Sequence, residues 1–215
     1  DGYSAVSRMD VSATNMSISE TTYSPSLQFT GSTALDGTYR SSGTFNGLYI
    51  EAGTAQGISF TNIEASLVSP IIKDVGTYAV FASSSLVSIE DGSISGSGYT
   101  GVYSYSSDTT LTDTTVTNNN SGGIYAQNGS LSMIGGASEL NTGNGISLYG
   151  SPGSASLSEV YIANNSGYGM SCGDFDLTSC DATYLDNALG DTLECPAVCT
   201  SETDADADAD ADADA

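Results

Sequence analysis

Between Gly101 and Gly190, apolar and polar residues alternate in short runs that return at a nearly fixed interval. Gly101-Val-Tyr-Ser, Gly123-Ile-Tyr-Ala, Gly145-Ile-Ser-Leu and Gly169-Met-Ser-Cys open four such runs, their glycines 22, 22 and 24 residues apart. A small polar turn follows each, then a second run starting at Leu111, Leu131, Leu157 or Leu177. Gly76-Thr-Tyr-Ala and Gly47-Leu-Tyr-Ile read as earlier copies at spacings of 25 and 29, and a partial copy begins at Gly190. Runs of about four to six residues with a period of two predict strands, and their Gly, Ser and Thr content argues against helix. A coil this short cannot bury its own apolar side, so successive coils must stack.

The period assigns faces. Leu48/Ile50, Thr77/Ala79, Val102/Ser104, Ile124/Ala126, Ile146/Leu148 and Met170/Cys172 lie one and three residues after the glycines and are expected to point inward. Thr77 and Ser104 fit least well. The residue between them points outward: Tyr49, Tyr78, Tyr103 and Tyr125 in four successive copies, then Ser147 and Ser171. A neighbouring outward column holds Glu51, Val80, Tyr105, Gln127 and Tyr149. Stacked at one coil spacing, these make an exposed tyrosine stripe about 15–20 Å long. Asn119, Asn141 and Asn165 each precede a repeat glycine by four residues, and Asn187 precedes Gly190 by three. Asparagine suits tight turns, and amides in line can hydrogen-bond from coil to coil as a structural ladder.

These features, from about residue 10 to 199, resemble the right-handed parallel β-helix repeat proteins of the pectate-lyase-like superfold. The resemblance implies an all-β solenoid of about seven to eight coils of 22–25 residues. Residues 1–200 form the domain, with irregular N-terminal coils over 1–46 and regular coils with a cysteine-rich end over 47–199. It also implies that related enzymes lay a polysaccharide on this sheet or its edge. The fold itself hosts lyases, hydrolases, adhesins and inert stalks.

Charge narrows the partners. Charged residues make up 13% of the chain, about half the usual share. The formal net charge is −23, with Arg8, Arg40 and Lys73 as the only bases and no His. Seven of the 26 acids lie in residues 202–215, so the body is acidic as well. Nucleic acid and anionic membrane surfaces are poor partners for such a chain. No apolar run approaches a membrane span. Residues 201–215, Ser-Glu-Thr followed by Asp-Ala repeats, have nothing to bury and read as a disordered spacer that collects calcium at most weakly. Such spacers resemble those of bacterial envelope proteins. Because the chain begins at Asp1, it reads as a mature or excised fragment of a longer precursor.

Cys172, Cys180, Cys195 and Cys199 cluster near the C-terminus. Zinc would need a better ligand set than a Cys-x3-Cys pair without His. Disulfides fit better and imply an oxidising compartment. Four cysteines allow three pairings. The near-one-repeat separations of Cys172 from Cys195 and of Cys180 from Cys199 favour that one.

Catalytic chemistry is thinly represented. The resembled hydrolases cluster Asp with a His, which is lacking, and the lyases use an Arg or Lys base. Arg8 and Arg40 fall in the irregular start, and Lys73 falls in a Pro70–Val75 segment that reads as lengthening one coil. Glu51, Glu90-Asp91, Asp174/Asp176 and Glu194 read as solvated or capping acids rather than a glycosidase pair. Thr110, Thr112, Thr115 and Thr117 give no regular threonine array of the ice-binding kind. The expectation is therefore a monomeric, non-enzymatic part of a larger secreted or surface-displayed bacterial protein, without cofactor. It is structural or adhesive and binds polysaccharide or other surface glycans through Tyr49, Tyr78, Tyr103, Tyr105, Tyr125 and Tyr149. A carbohydrate-active enzyme, lyase or hydrolase, is the alternative.

Overall fold

The structure is a computed structural model that describes residues 10–19, 26–31 and 41–196. These form a parallel β-solenoid of about seven turns with no helix. Each coil contributes a strand to three faces. Face 1 stacks Asp10–Thr14, Ser42–Asn46, Glu64–Val68, Leu86–Glu90, Asp108–Thr112 and Ser130–Ile134. Face 2 stacks Ser17–Ser19, Tyr49–Glu51, Ile71–Lys73, Ser93–Ser95, Thr115–Thr117 and Ala137–Glu139. Two longer strands, Ser154–Ala163 and Asp176–Leu185, turn the corner and continue both faces. Face 3 is an eight-stranded sheet: Leu27–Thr30, Ile58–Thr61, Val80–Ser83, Thr100–Tyr105, Gly122–Gln127, Asn144–Tyr149, Met170–Ser171 and Thr192–Leu193.

Inward residues meet their own kind in the next coil. On face 2 the inward column runs Ile18, Ile50, Ile72, Ile94, Val116, Ser138, Ile162 and Tyr184. On face 3 it runs Ile58, Val80, Val102, Ile124, Ile146 and Met170, all fully or almost fully buried. Phe29, Phe45 and Phe60 fill the N-terminal end, with ring centroids 4.8–6.1 Å apart. Ser104, a poor fit to an inward position, is buried but satisfied: its Oγ lies 2.8 Å from Thr109 Oγ1, just round the Ser106 corner.

The corners explain how flat strands close into coils. Ser69, Asp91 and Asp113 turn between faces 1 and 2 with φ of 50°, 52° and 47°. Asp74, Asn118 and Asn164 do the same after face 2, and Asn62, Ser84, Ser106 and Asn128 after face 3, with φ between 47° and 56°. Short polar side chains tolerate this left-handed conformation better than others.

Strand pairing corrects the register of the early copies. Val80 pairs with Val102 and with Ile58, so the residues aligned with Gly101 are Ala79 and Gly57 rather than Gly76 and Gly47. Counted this way, positions 57, 79, 101, 123 and 145 are strictly 22 residues apart. Gly47 is instead a corner residue between faces 1 and 2, with φ 65°. Thr77 therefore lies outside the inward column and is only partly buried. Ile71–Lys73 is a regular face 2 strand in register with Ser93–Ser95, so no extra segment lengthens that coil.

The repeat glycine and the asparagine are two halves of one device. Asn119, Asn141 and Asn165 are buried along one corner. The Oδ1 of Asn141 accepts from both the N and the Nδ2 of Asn119, each at 3.0 Å. Asn165 does the same for Asn141, and Asn187 for Asn165. A Cβ on Gly101, Gly123, Gly145 or Gly169 would sit only 2.8, 2.8, 2.7 or 2.9 Å from the Nδ2 of Asn119, Asn141, Asn165 or Asn187. The glycines are bare so that the carboxamides fit. Where the column holds Ser97 instead of Asn, its coil carries Ala79 in place of glycine. Ser97 ends the ladder, its N–H donating to Asn119 Oδ1 and its Oγ buried without a partner.

Candidate functional site

Face 3 sets out its outward side chains in two columns. The first is Ser59, Phe81, Tyr103, Tyr125, Ser147 and Ser171, and the second is Thr61, Ser83, Tyr105, Gln127 and Tyr149. Neither contains a charged residue, in a chain of net charge −23. Face 1, by contrast, exposes Glu64, Glu90 and Asp108.

The rings in these columns touch. Phe81 and Tyr103 stack with centroids 5.7 Å apart and planes 5° apart, and Tyr103 and Tyr125 at 5.0 Å and 2°. Tyr125 continues to Tyr149 across the columns at 5.4 Å. Tyr78, in the turn before its strand, leans over Tyr103 at 4.8 Å and reaches Tyr99 at 6.0 Å. Six rings thus form one diagonal stripe from Tyr99 to Tyr149. Touching planes are about 3.5 Å apart, so centroids 5.0 Å apart imply offset rings that overlap like roof tiles. Offset in this way, the rings are not wholly covered by their neighbours, and Tyr78, Phe81, Tyr103 and Tyr125 remain half-buried rather than buried. Tyr99, Tyr105 and Tyr149 are the most open, at 56, 41 and 38% exposure.

Burial pushes the Tyr103 phenol above its ordinary value, and the neighbouring Tyr125, Tyr78 and Tyr105 push it further. Burial, then Tyr149 and Tyr78, do the same to Tyr125. Both phenols therefore stay neutral at physiological pH, able to donate and accept hydrogen bonds.

The stripe differs from the tyrosine column read from sequence. Tyr103, Tyr105, Tyr125 and Tyr149 lie on face 3, and Tyr78 joins them from the preceding turn. Tyr49 does not. It lies on face 2 opposite Ile71, where its hydroxyl donates to Glu51 Oε2 at 2.5 Å. Lys73 Nζ lies 2.8 Å from Glu51 Oε1 and 5.6 Å from the Tyr49 ring centroid. Hydrogen bonds from Lys73, then Tyr49, lower the Glu51 carboxyl, and the Glu51 hydrogen bond, foremost, raises the Lys73 amine. The pair is thus fully ionised and mutually occupied. Val80 and Glu51, placed in the second outward column by the sequence, are respectively buried and on face 2. Sequence reasoning missed Phe81 and Tyr99. Counting back 22 residues from Tyr103 reaches Phe81, so the period alone carried that signal.

The other expected groups are easily located. Cys172 and Cys195 are disulfide-bonded between adjacent coils, with Cα atoms 4.8 Å apart. Cys180 is disulfide-bonded as well; Cys199, its expected partner, lies outside the described residues, as do Arg8, Arg40 and the Asp-Ala segment. Among the described residues no group of three or more His, Cys, Asp or Glu side chains is placed to hold a metal ion. Thr110 belongs to an outward column on face 1 of Ser12, Thr44, Ser66, Ser88, Thr110, Ser132, Ser156 and Ser179, so the row is hydroxylic throughout but has only two threonines.

Residues 56–190 match the family model described as right handed beta helix region. No curated protein and no solved structure matches the chain. With the match spanning most of the solenoid, and the parallel three-faced coil behind it, the chain belongs to the right-handed β-helix family.

Proposed function

We propose that this protein is a non-enzymatic module, secreted or displayed on a cell surface, that binds glycan through the aromatic stripe of face 3. The observation that carries the reading is the stripe itself: six rings in unbroken contact on the one face whose outward strand positions hold no charge. Partly open ring faces suit the apolar C–H surface of a sugar, and neutral phenols suit its hydroxyls. The Cys172–Cys195 disulfide supports an oxidising, extracellular setting. Lys73 is committed to Glu51 on another face, which speaks against its serving as a base beside the stripe.

A glycan array with the wild-type chain and a Tyr103→Ser/Tyr125→Ser variant tests the reading. Serine occupies the same outward column at positions 147 and 171, so the variant keeps a side chain that the coil accepts. Binding lost in the variant is expected. Absence of binding to every glycan would mean that the rings only stabilise one another. Time-dependent release of reducing or unsaturated ends from a bound polysaccharide would overturn the non-enzymatic part.

A further inference from the structure

The stripe does not end in open solvent. Beyond Tyr149, residues 151–154 turn the corner towards face 1 and line a cleft of about 510 Å³ with Asn128–Ser130 and the carboxylates of Asp108, Asp174 and Asp176. Gly173, immediately before Asp174, lies so close to the Tyr149 ring that a Cβ there would come within 3.3 Å of Cδ1. Tyr105 precedes Asp108 by three residues in its own coil. The ring path and the cleft therefore meet at one corner of the solenoid.

Among the described residues no basic side chain balances these acids. Lys73, the one base among the described residues, is paired with Glu51 on face 2. Asp108 Oδ1 accepts from the N and Oγ of Ser130, at 3.1 and 2.6 Å, which orders that carboxylate without neutralising it. The three acids are not placed to hold a metal ion together, whereas separate carboxylates suit cationic groups spaced along a chain. Tyrosine faces also attract cations. Phenols held neutral by burial and by each other add no negative charge that would compete for the same groups. Finally, a chain of net charge −23 repels polyanions and concentrates cations around it.

We propose that the ligand of the stripe is a cationic, amino-sugar-containing glycan whose sugar rings lie on Tyr103, Tyr125 and Tyr149 and whose ammonium groups reach Asp174 and Asp176. This rests on the glycan-binding reading above and specifies its chemistry. Acidic polysaccharides are disfavoured at the same site.

Calorimetric titration with two hexamers of one backbone, β-1,4-linked glucosamine and its fully N-acetylated form, separates the two claims. The full chain is used at mildly acidic pH, where the glucosamine amines are protonated. The glucosamine hexamer is expected to bind about tenfold more tightly at low salt, with the gap narrowing as salt is raised. Asp174→Asn/Asp176→Asn should remove that gap, while Tyr103→Ser/Tyr125→Ser should weaken both hexamers. Equal affinities for the two hexamers would overturn the cationic preference while leaving glycan binding standing. A preference that survives the Asn substitutions, or glucosamine binding indifferent to the tyrosines, would overturn it too, as attraction to the acidic chain at large. Binding of neither hexamer would sink the preference and count against glycan binding itself.

Discussion

Replacing Asn141 by alanine removes a middle rung of the amide ladder. Asn141 is 1% exposed, and its Oδ1 is the acceptor for the N–H and the Nδ2 of Asn119. Its own Nδ2 donates to Asn165 Oδ1 and Val116 O. Alanine leaves two buried donors on Asn119 without their acceptor. At about 1–3 kcal/mol for each orphaned group, the loss should be about 2–6 kcal/mol. Asn119→Ala is the internal comparison. It orphans one buried donor, the Ser97 N–H, and should cost about half as much. Asn187, at the partly exposed end of the ladder, accepts from the N and Nδ2 of Asn165, but water reaches that end and its replacement should cost least. Urea unfolding followed by far-ultraviolet circular dichroism gives the ranking, and hydrogen exchange at the Asn119 amide localises it. Equal losses at Asn119, Asn141 and Asn187 would refute the reasoning, since neither the number of orphaned donors nor burial along the ladder would then decide the cost. So would a loss below about 1 kcal/mol at Asn141, the worth of an ordinary hydrogen bond.

Gly101→Ala should destabilise by about 2 kcal/mol through its clash with Asn119 Nδ2 and Val116 Cγ1, and Asn119→Ser in the same chain should recover part of that loss. Additive losses in the double-mutant cycle would break the proposed pairing of bare glycine with amide. Cys172→Ala/Cys195→Ala, which opens a loop of sequence separation 23, should lower stability by about 3 kcal/mol. Its faster hydrogen exchange should be confined to the C-terminal coils, and uniform loosening would contradict coil-by-coil stacking. The raised phenols of Tyr103, Tyr125 and the buried Tyr184 set the alkaline limit. Their contribution is complete below the unfolded tyrosine value near 10 and is lost as pH rises through their higher folded values. Urea midpoints should therefore fall above about pH 10, and less steeply in Tyr103→Ser/Tyr125→Ser; parallel slopes would refute this.

The solenoid was readable because its period is carried by residues that the backbone demands. From Gly101 onward, glycine, inward apolar pairs and asparagine all return together, each forced by stacking on the coil before it. The early coils misled for a physical reason. Position 79 needs no glycine, because its ladder residue is the smaller Ser97, so the eye settles on Gly76, which also precedes a tyrosine. Gly47 attracted the same reading, yet its glycine serves a left-handed corner and its tyrosine belongs to face 2. The site was half legible. Tyr103, Tyr105, Tyr125 and Tyr149 follow from alternation alone. Phe81 follows once the 22-residue count is carried back past Gly101, but that Tyr78 leans from a turn over Tyr103 and that the stripe runs into an acidic corner depend on contacts between coils. A one-dimensional pattern shows those only when the register is known to the residue.

The central claim is that the stripe on face 3 receives a sugar chain, and ring-selective carbon–proton NMR during titration with the glucosamine hexamer tests it most directly. The account predicts shifts at Tyr78, Phe81, Tyr103, Tyr125 and Tyr149, with Tyr49 and Tyr161 on face 2 unmoved. Shifts of equal size at Tyr49 and Tyr161, or a silent stripe beside a bound hexamer, would contradict it.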